Sequence, residues 1–400
     1  MRCGHLDGVS DGRIQGWAWD PADPSERAEV SLWLDGVALP TVVADRARPD
    51  LMEAGHTDGR CAFDVLLPPG VDDGRRHVIE ACHPDGLPLG GSPWRGWIGA
   101  ASVTDAAPSF RSAYGGLWTD LSNAPDVIDG KLVLGRITAA EAALLHSWVH
   151  DGYVILRGAV PAPAIDALNA ELERALSRGD PRVHVEAFYE RGTRIEPLQP
   201  MHRSGRAKLL DVHAHFSGAR DVAFAPAVAH AIELFFERPL LAFQSLAFER
   251  GVDQPPHRDS AYVRVASPTE FVAAWVALEP VRPGSGELEF YAGSHALPEV
   301  LFEGEKWMPE EGIAPGAWGE RLRRECEGLR HETFLAEPGD VLLWAADLMH
   351  GGSPVRDAAL TRRSLVVHYC PQDIEPLYRG ASAPRFEHTS GRASYTYCLR

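Results

Sequence analysis

Lysine is almost missing from this 400-residue chain, with Lys131, Lys208 and Lys306 its only three. Arginine supplies the rest of the 39 basic residues, yet 56 acidic residues outnumber them and leave a formal net charge of −17. A chain so short of positive charge lacks the basic face that releases counterions, which argues against nucleic acid or a membrane surface as its partner. Long hydrophobic runs are missing too. No stretch approaches the roughly 18 apolar residues that span a bilayer. The opening MRCGHLDGVSDGRIQGWAWD has no apolar segment of a secretory signal. The six cysteines lie far apart without a C-x-x-C pair, which points to reduced thiols and a cytoplasmic protein. What remains, 45% hydrophobic and 24% charged, is ordinary for a globular protein, and the length suits two or three domains.

The chain changes character along its length. Residues 1–95 read as a small all-β sandwich: Val30, Leu32 and Leu34 alternate with polar neighbours before an Asp35-Gly36 turn, and further short runs follow between Gly/Pro turns. Residues 96–125, rich in Ala, Ser, Gly and Pro, read as a linker. From 126 to 400 a second domain begins with helices. Thr138-x-x-Glu141 is a capping box, and that helix is expected to stop at Gly152. Many strands follow, and the order suggests a barrel or jelly roll. Two segments, 182–208 with its arginines and the Gly/Glu/Trp-rich 303–332, are candidate lids.

The chemistry concentrates at Pro255-Pro256-His257-Arg258-Asp259-Ser260. On a strand, His257 and Asp259 share a face with Cα atoms about 6.6 Å apart, so an imidazole and a carboxylate reach one metal. His350, after Gly339-Asp340 and an apolar run, is the third candidate. Two histidines and one carboxylate are the facial ligand set of non-haem Fe(II) oxygenases. The H-x-D pair alone arises easily among 17 histidines and 56 acidic residues; His184-x-Glu186 is another such pair, and His213-x-His215 is a rival metal pair. Arg362 shares strand parity with Ser364, Val366 and His368, a face suited to a cavity, whereas Arg363 shares that of Leu365 and Val367. Arg362 is therefore the expected holder of a dicarboxylate. His295, His368 and the His213/His215 pair read as structural.

Taken in order, these pieces resemble the phytanoyl-CoA dioxygenase family of Fe(II)/2-oxoglutarate oxygenases over about residues 130–372. The resemblance is carried by Asp151-Gly152-Tyr153-Val154-Ile155-Leu156-Arg157-Gly158, the His257-x-Asp259-Ser260 motif, Gly286 to His295, Gly339-Asp340, His350 and the arginine strand. It implies a double-stranded β-helix and a dioxygenase that hydroxylates a C–H bond of a small-molecule substrate, releasing succinate and CO2. His257, Asp259 and His350 would ligate Fe(2+), and Arg362 would bind the far carboxylate of 2-oxoglutarate. Looser matches put Lys208, Gln244, Trp275 and Ser353 beside that cosubstrate, although His350-Gly351-Gly352-Ser353 carries one glycine more than the family's His-Gly-Ser. An aspartate rather than alanine or glycine at 259 favours hydroxylation over halogenation. The alternative is a silent oxygenase-like scaffold whose N-terminal sandwich, through Trp17, Trp19 and Trp33, binds a glycan or partner.

Overall fold

The computed structural model describes the chain except residues 1–2, 11, 24, 54–57, 69, 72–74, 100–107, 190–191, 204–206, 310–314, 379 and 389–392. Parts of the expected linker and of both candidate lids thus lie outside the described residues. Two compact units emerge, residues 1–108 with 126–137, and residues 109–125 with 138–400. The boundary differs from the sequence expectation twice: 126–137, expected to open the second domain, cluster with the first unit, and 109–125, expected as linker, belong to the second. There Thr119 is buried with its hydroxyl bonded to the Trp148 indole, and Leu117 and Leu121 are buried as well.

The first unit is mainly β, with a short helix Pro49–Glu53 and most of the helix Ala124–Val133. One antiparallel sheet joins Cys3–Ser10, Arg13–Trp19, Arg60–Leu66 and Arg46–Ala47, and a second is built around Glu29–Leu34, Arg75–Cys82 and Trp94–Ile98. Alternate residues of both sheets (Leu6, Ile14, Leu32, Phe63, Ile79) share one core, which makes the unit a sandwich. Trp17 and Trp19 pack over Leu51, Cys61 and Ala62 instead of standing free.

The second unit is the jelly roll. Its large sheet runs Tyr153–Leu156, Val341–Ala345, Val272–Ala277, Ser364–Pro371, Leu240–Phe248, Ala207–Leu210, Asp180–Tyr189 and Gly192–Leu198. The small sheet orders His331–Phe334, Leu288–Tyr291 and His350–Gly352. Tyr153, Trp275, Trp344 and Val366 from the one, and Leu288, Phe290 and Phe334 from the other, bury against each other. Thr138 and Glu141 close the expected capping box, and Gly152, at φ 77°, ends the helix. A Cβ on Gly152 would lie 2.3 Å from His295 Nδ1, so two of the motifs interlock here. Asp340 ties the sheet edge by accepting from Gly158 N–H at 2.8 Å and from Arg157 at 2.6 Å.

Both candidate lids are part of this architecture. The 182–208 segment supplies two strands, with Val183, Val185 and Ala187 buried on one face. Within 303–332, the helix Pro315–Glu325 places Trp318 and Leu322 in a cluster with Ala261 and Met349, each within two residues of a candidate ligand.

Asp120 is partly buried, and desolvation pushes its carboxyl up to about 6. A carboxyl held above its unfolded value of about 3.9 favours the folded state fully below about pH 4, and that contribution fades as pH rises through 6. Asp120→Asn keeps an acceptor for the Leu117 N–H, which Asp120 now bonds at 2.8 Å. It is expected to stabilise the protein at pH 8 by on the order of 2 kcal/mol and to flatten the decline between pH 4 and 6. Urea unfolding across that range measures both.

Candidate metal centre

Two backbone bonds bring the first and third candidate ligands together. His257 N–H donates to His350 O at 2.8 Å, and His350 N–H returns a bond to His257 O at 3.0 Å. The imidazoles consequently lie side by side, with ring centroids 4.4 Å apart. The approach depends on the paired glycines. A Cβ would stand 2.9 Å from Gln254 O at Gly351 and 2.5 Å from Val252 O at Gly352. Ser294 of the Gly-Ser-His hairpin helps by accepting from Met349 N–H at 2.8 Å.

Each imidazole donates its Nδ1–H to the carbonyl two residues earlier, His257 to Pro255 and His350 to Leu348, both at 3.0 Å. That leaves the ligating lone pair on each Nε2, with the Gln254 amide nitrogen 3.1 Å from that of His257. Asp259 does not continue a strand, as the sequence suggested; it opens the 3-10 turn Asp259–Ala261. The turn sets its Oδ1 3.6 Å from Nε2 of both histidines. All three side chains are buried, and their donor atoms lie within 4.8 Å of one another. Among the described residues no other trio of His, Cys, Asp or Glu gathers in this way.

The electrostatics suit a cation. Burial pushes the His350 imidazole down to about 4, so it is neutral and able to ligate at pH 7. Burial pushes the Asp259 carboxyl up, but His350, His257 and His368 around it more than reverse this and hold it well below the usual carboxylate range. The rival pair fails on geometry. His213 is buried with Nδ1 bonded to Ser245 Oγ at 2.7 Å and Nε2 to Thr396 O at 2.8 Å. His215 instead packs edge-on against Tyr397.

The remaining expected residues divide. Arg362 is buried, with its guanidinium 5.4 Å from the Trp275 ring and 5.6 Å from that of Phe248. It makes no ion pair among the described residues, and its Nε has no partner. Burial pushes it down to about 10, which still leaves it charged at neutral pH. Ser364 Oγ, on the same face of its strand, is buried and unpartnered as well. A buried cation with an orphaned hydroxyl two residues along the chain is what a carboxylate-bearing cosubstrate fits. Arg363 is spoken for by Glu173 and Glu249, both at 2.7 Å. Gln244 pairs across strands with His368 on the interior face. Trp275 is core and also floor to Arg362. Two residues are engaged elsewhere: Ser353 Oγ donates to Glu289 at 3.2 Å, and Lys208 pairs with Glu186 at 3.4 Å over the Phe188 ring.

Several neighbours of the centre escaped the sequence reading. Trp344 and His368 both contact Asp259 Oδ2, so His368 is more than structural. Gln254 Nε2 lies 3.1 Å from His257 Nε2, and the Tyr262 ring is 5.6 Å from that imidazole. Asp347 bonds Ser260 Oγ and also the buried Lys306 Nζ at 2.6 Å, which fastens the 303–332 segment to the residue after Asp259. Strand parity would have found His368; the loop-borne groups carried no such signal.

A jelly roll presenting two convergent imidazoles and a carboxylate, and in the same roll a buried arginine without an ion pair among the described residues, has the makings of a non-haem iron oxygenase. The profile of the phytanoyl-CoA dioxygenase (PhyH) family matches residues 148–364, more than half the chain. The chain belongs to that family, enzymes that depend on iron and 2-oxoglutarate. No curated protein matches it in sequence. Among solved structures it is similar to the epimerase SnoN in complex with Fe3+, alpha ketoglutarate and nogalamycin RO: 21% identity, 64% of this chain, 98% of that one, TM-score 0.48. It is also similar to EctD from S. alaskensis with 2-oxoglutarate and 5-hydroxyectoine: 20% identity, 59% and 76% coverage, TM-score 0.43.

Proposed function

We propose that this protein is a Fe(II)/2-oxoglutarate-dependent hydroxylase of a small molecule. His257, Asp259 and His350 hold the iron, and Arg362 binds the far carboxylate of the cosubstrate with Ser364 beside it. The observation that carries the reading is the Arg362 guanidinium, buried and without an ion pair in the same jelly roll as three convergent donors. When bound, the iron would activate dioxygen, whose four-electron reduction is shared between 2-oxoglutarate, oxidised to succinate and CO2, and the substrate C–H bond, which takes up the second oxygen atom as hydroxyl. The chain's own residues supply the setting. Two Nδ1–H bonds lock the histidines in the ligating tautomer, and Asp259 contributes the negative charge that retains a divalent cation. Trp275, Trp344 and Val366 keep the interior apolar, which strengthens every charge interaction within it. An aspartate ligand at 259 favours hydroxylation among the outcomes open to such a centre. Six free cysteines accord with a cytoplasmic setting.

The test is anaerobic reconstitution with Fe(II) and 2-oxoglutarate. A visible metal-to-ligand charge-transfer band that needs both additions is expected. Its absence in folded protein overturns the reading in favour of a silent scaffold.

A further inference from the structure

Asp259 has two oxygens, and the fold treats them differently. We propose that Trp344 and His368 act as positioning residues, a two-donor clamp that holds Asp259 as a single-oxygen ligand, with Ala273 forming the seat between them. The inference rests on the iron reading above. On the large sheet Trp344 stands opposite Ala273, and Ala273 stands opposite His368. The three residues form one row across adjacent strands. With strands about 4.8 Å apart, the outer two backbones lie roughly 9.6 Å from each other. A single atom spans that gap: Asp259 Oδ2 accepts from Trp344 Nε1–H at 2.8 Å and lies 3.3 Å from His368 Nε2. Oδ2 must therefore sit over the middle of the row. The middle residue is an alanine, whose methyl leaves it room.

The direction of the second bond follows from what surrounds His368. Its Nδ1 is buried without a partner, with the Phe243 and Phe271 rings each 6.1 Å away. A proton on Nδ1 would be a buried donor with nothing to meet, so the proton sits on Nε2 and is donated to Asp259. Oδ2 thus takes two N–H donors, and Oδ1, 3.6 Å from both ligand Nε2 atoms, is left to face the metal. A carboxylate free to turn would chelate through both oxygens and occupy a position that the cosubstrate or dioxygen needs. Trp344 also packs its ring against His350, 4.6 Å between centroids, so one side chain steadies two ligands.

Co(II) titration of the full chain without 2-oxoglutarate, followed by visible absorption, tests the clamp. Trp344→Phe keeps an aromatic ring against His350 and loses the N–H. The Co(II) dissociation constant is expected to rise about tenfold in Trp344→Phe and in His368→Leu, the scale for removing a group that orients a ligand. The band shape should change in both. His368→Gln, which restores an N–H donor, should recover most of the loss, a rescue that a merely structural role would not produce. An unchanged dissociation constant and unchanged bands in Trp344→Phe overturn the clamp. If the wild type binds no Co(II), or Asp259→Ala binds it equally well, the iron reading itself falls and the clamp falls with it.

Discussion

Asp259→Ala is expected to abolish Fe(II) retention and, with it, any charge-transfer band on adding 2-oxoglutarate. The site offers three donors, and this one carries the only formal negative charge among them. Its loss should weaken binding by more than the roughly 10- to 100-fold that a supporting residue contributes. Thermal melts give an independent reading. Wild-type protein at a metal concentration a hundred times its dissociation constant should gain about 2.7 kcal/mol of stability, and the variant should gain nothing. Asp259→Asn guards against a trivial loss of fold, because its amide oxygen still accepts from Trp344 and His368 while the charge is gone. His213→Ala provides the contrast. That imidazole is buried and fully bonded, so its removal should lower stability and leave metal stoichiometry intact. A metal-replete Asp259→Ala protein would sink the assignment.

How much of this was legible in the residues depended on whether a regular period reported it. The alternation in Glu29–Leu34 gave the sandwich, and the Thr138 box gave the helix and its end at Gly152. The parity of the strand beginning at Ser364 separated Arg362 from Arg363 before any coordinates, and the two arginines do go opposite ways. The hairpin within 182–208 hid behind its charges. Val183, Val185 and Ala187 keep a strand's period of two, but His184 and Glu186 between them read as a polar loop. The candidate metal ligands were legible as a set and not in their local geometry. His257 is held by a backbone bridge to a residue 93 positions later, and Asp259 by a turn, neither of which leaves a period in the sequence. The surroundings of Ser353 were hidden for the same reason. The small-sheet pairing of Leu288 with Gly352 precedes it, and its hydroxyl goes to Glu289. A glycine count cannot foresee that.

The second large effect expected is a change of opposite sign in binding and in stability at one position. Arg362→Met replaces a buried guanidinium without an ion pair by an apolar chain of similar length, resting on the rings of Phe248 and Trp275. The loss of a charge-assisted bond of about 1.5–3 kcal/mol should raise the 2-oxoglutarate dissociation constant by about 10- to 150-fold. The cosubstrate-free protein, relieved of an uncompensated buried charge, should at the same time unfold at a higher temperature. Arg363→Met should do the reverse. Its loss strands Glu249, whose side chain is 10% exposed, and the half-exposed Glu173, although Arg203 still reaches both carboxylates. A fall in stability of up to about 3 kcal/mol is expected, the low end for breaking a buried pair, with the 2-oxoglutarate requirement unchanged. Calorimetric titration of 2-oxoglutarate into the Fe(II)-loaded variants under nitrogen, beside melts of the same preparations, separates the two arginines. On this proposal Arg362 keeps an unfavourable burial, eased in part by Glu287 and Glu279, that a bound carboxylate would relieve, whereas Arg363 is satisfied by the fold itself. If instead Arg362→Met both destabilises the free protein and leaves cosubstrate binding untouched, the guanidinium serves the core, and the carboxylate must be held elsewhere.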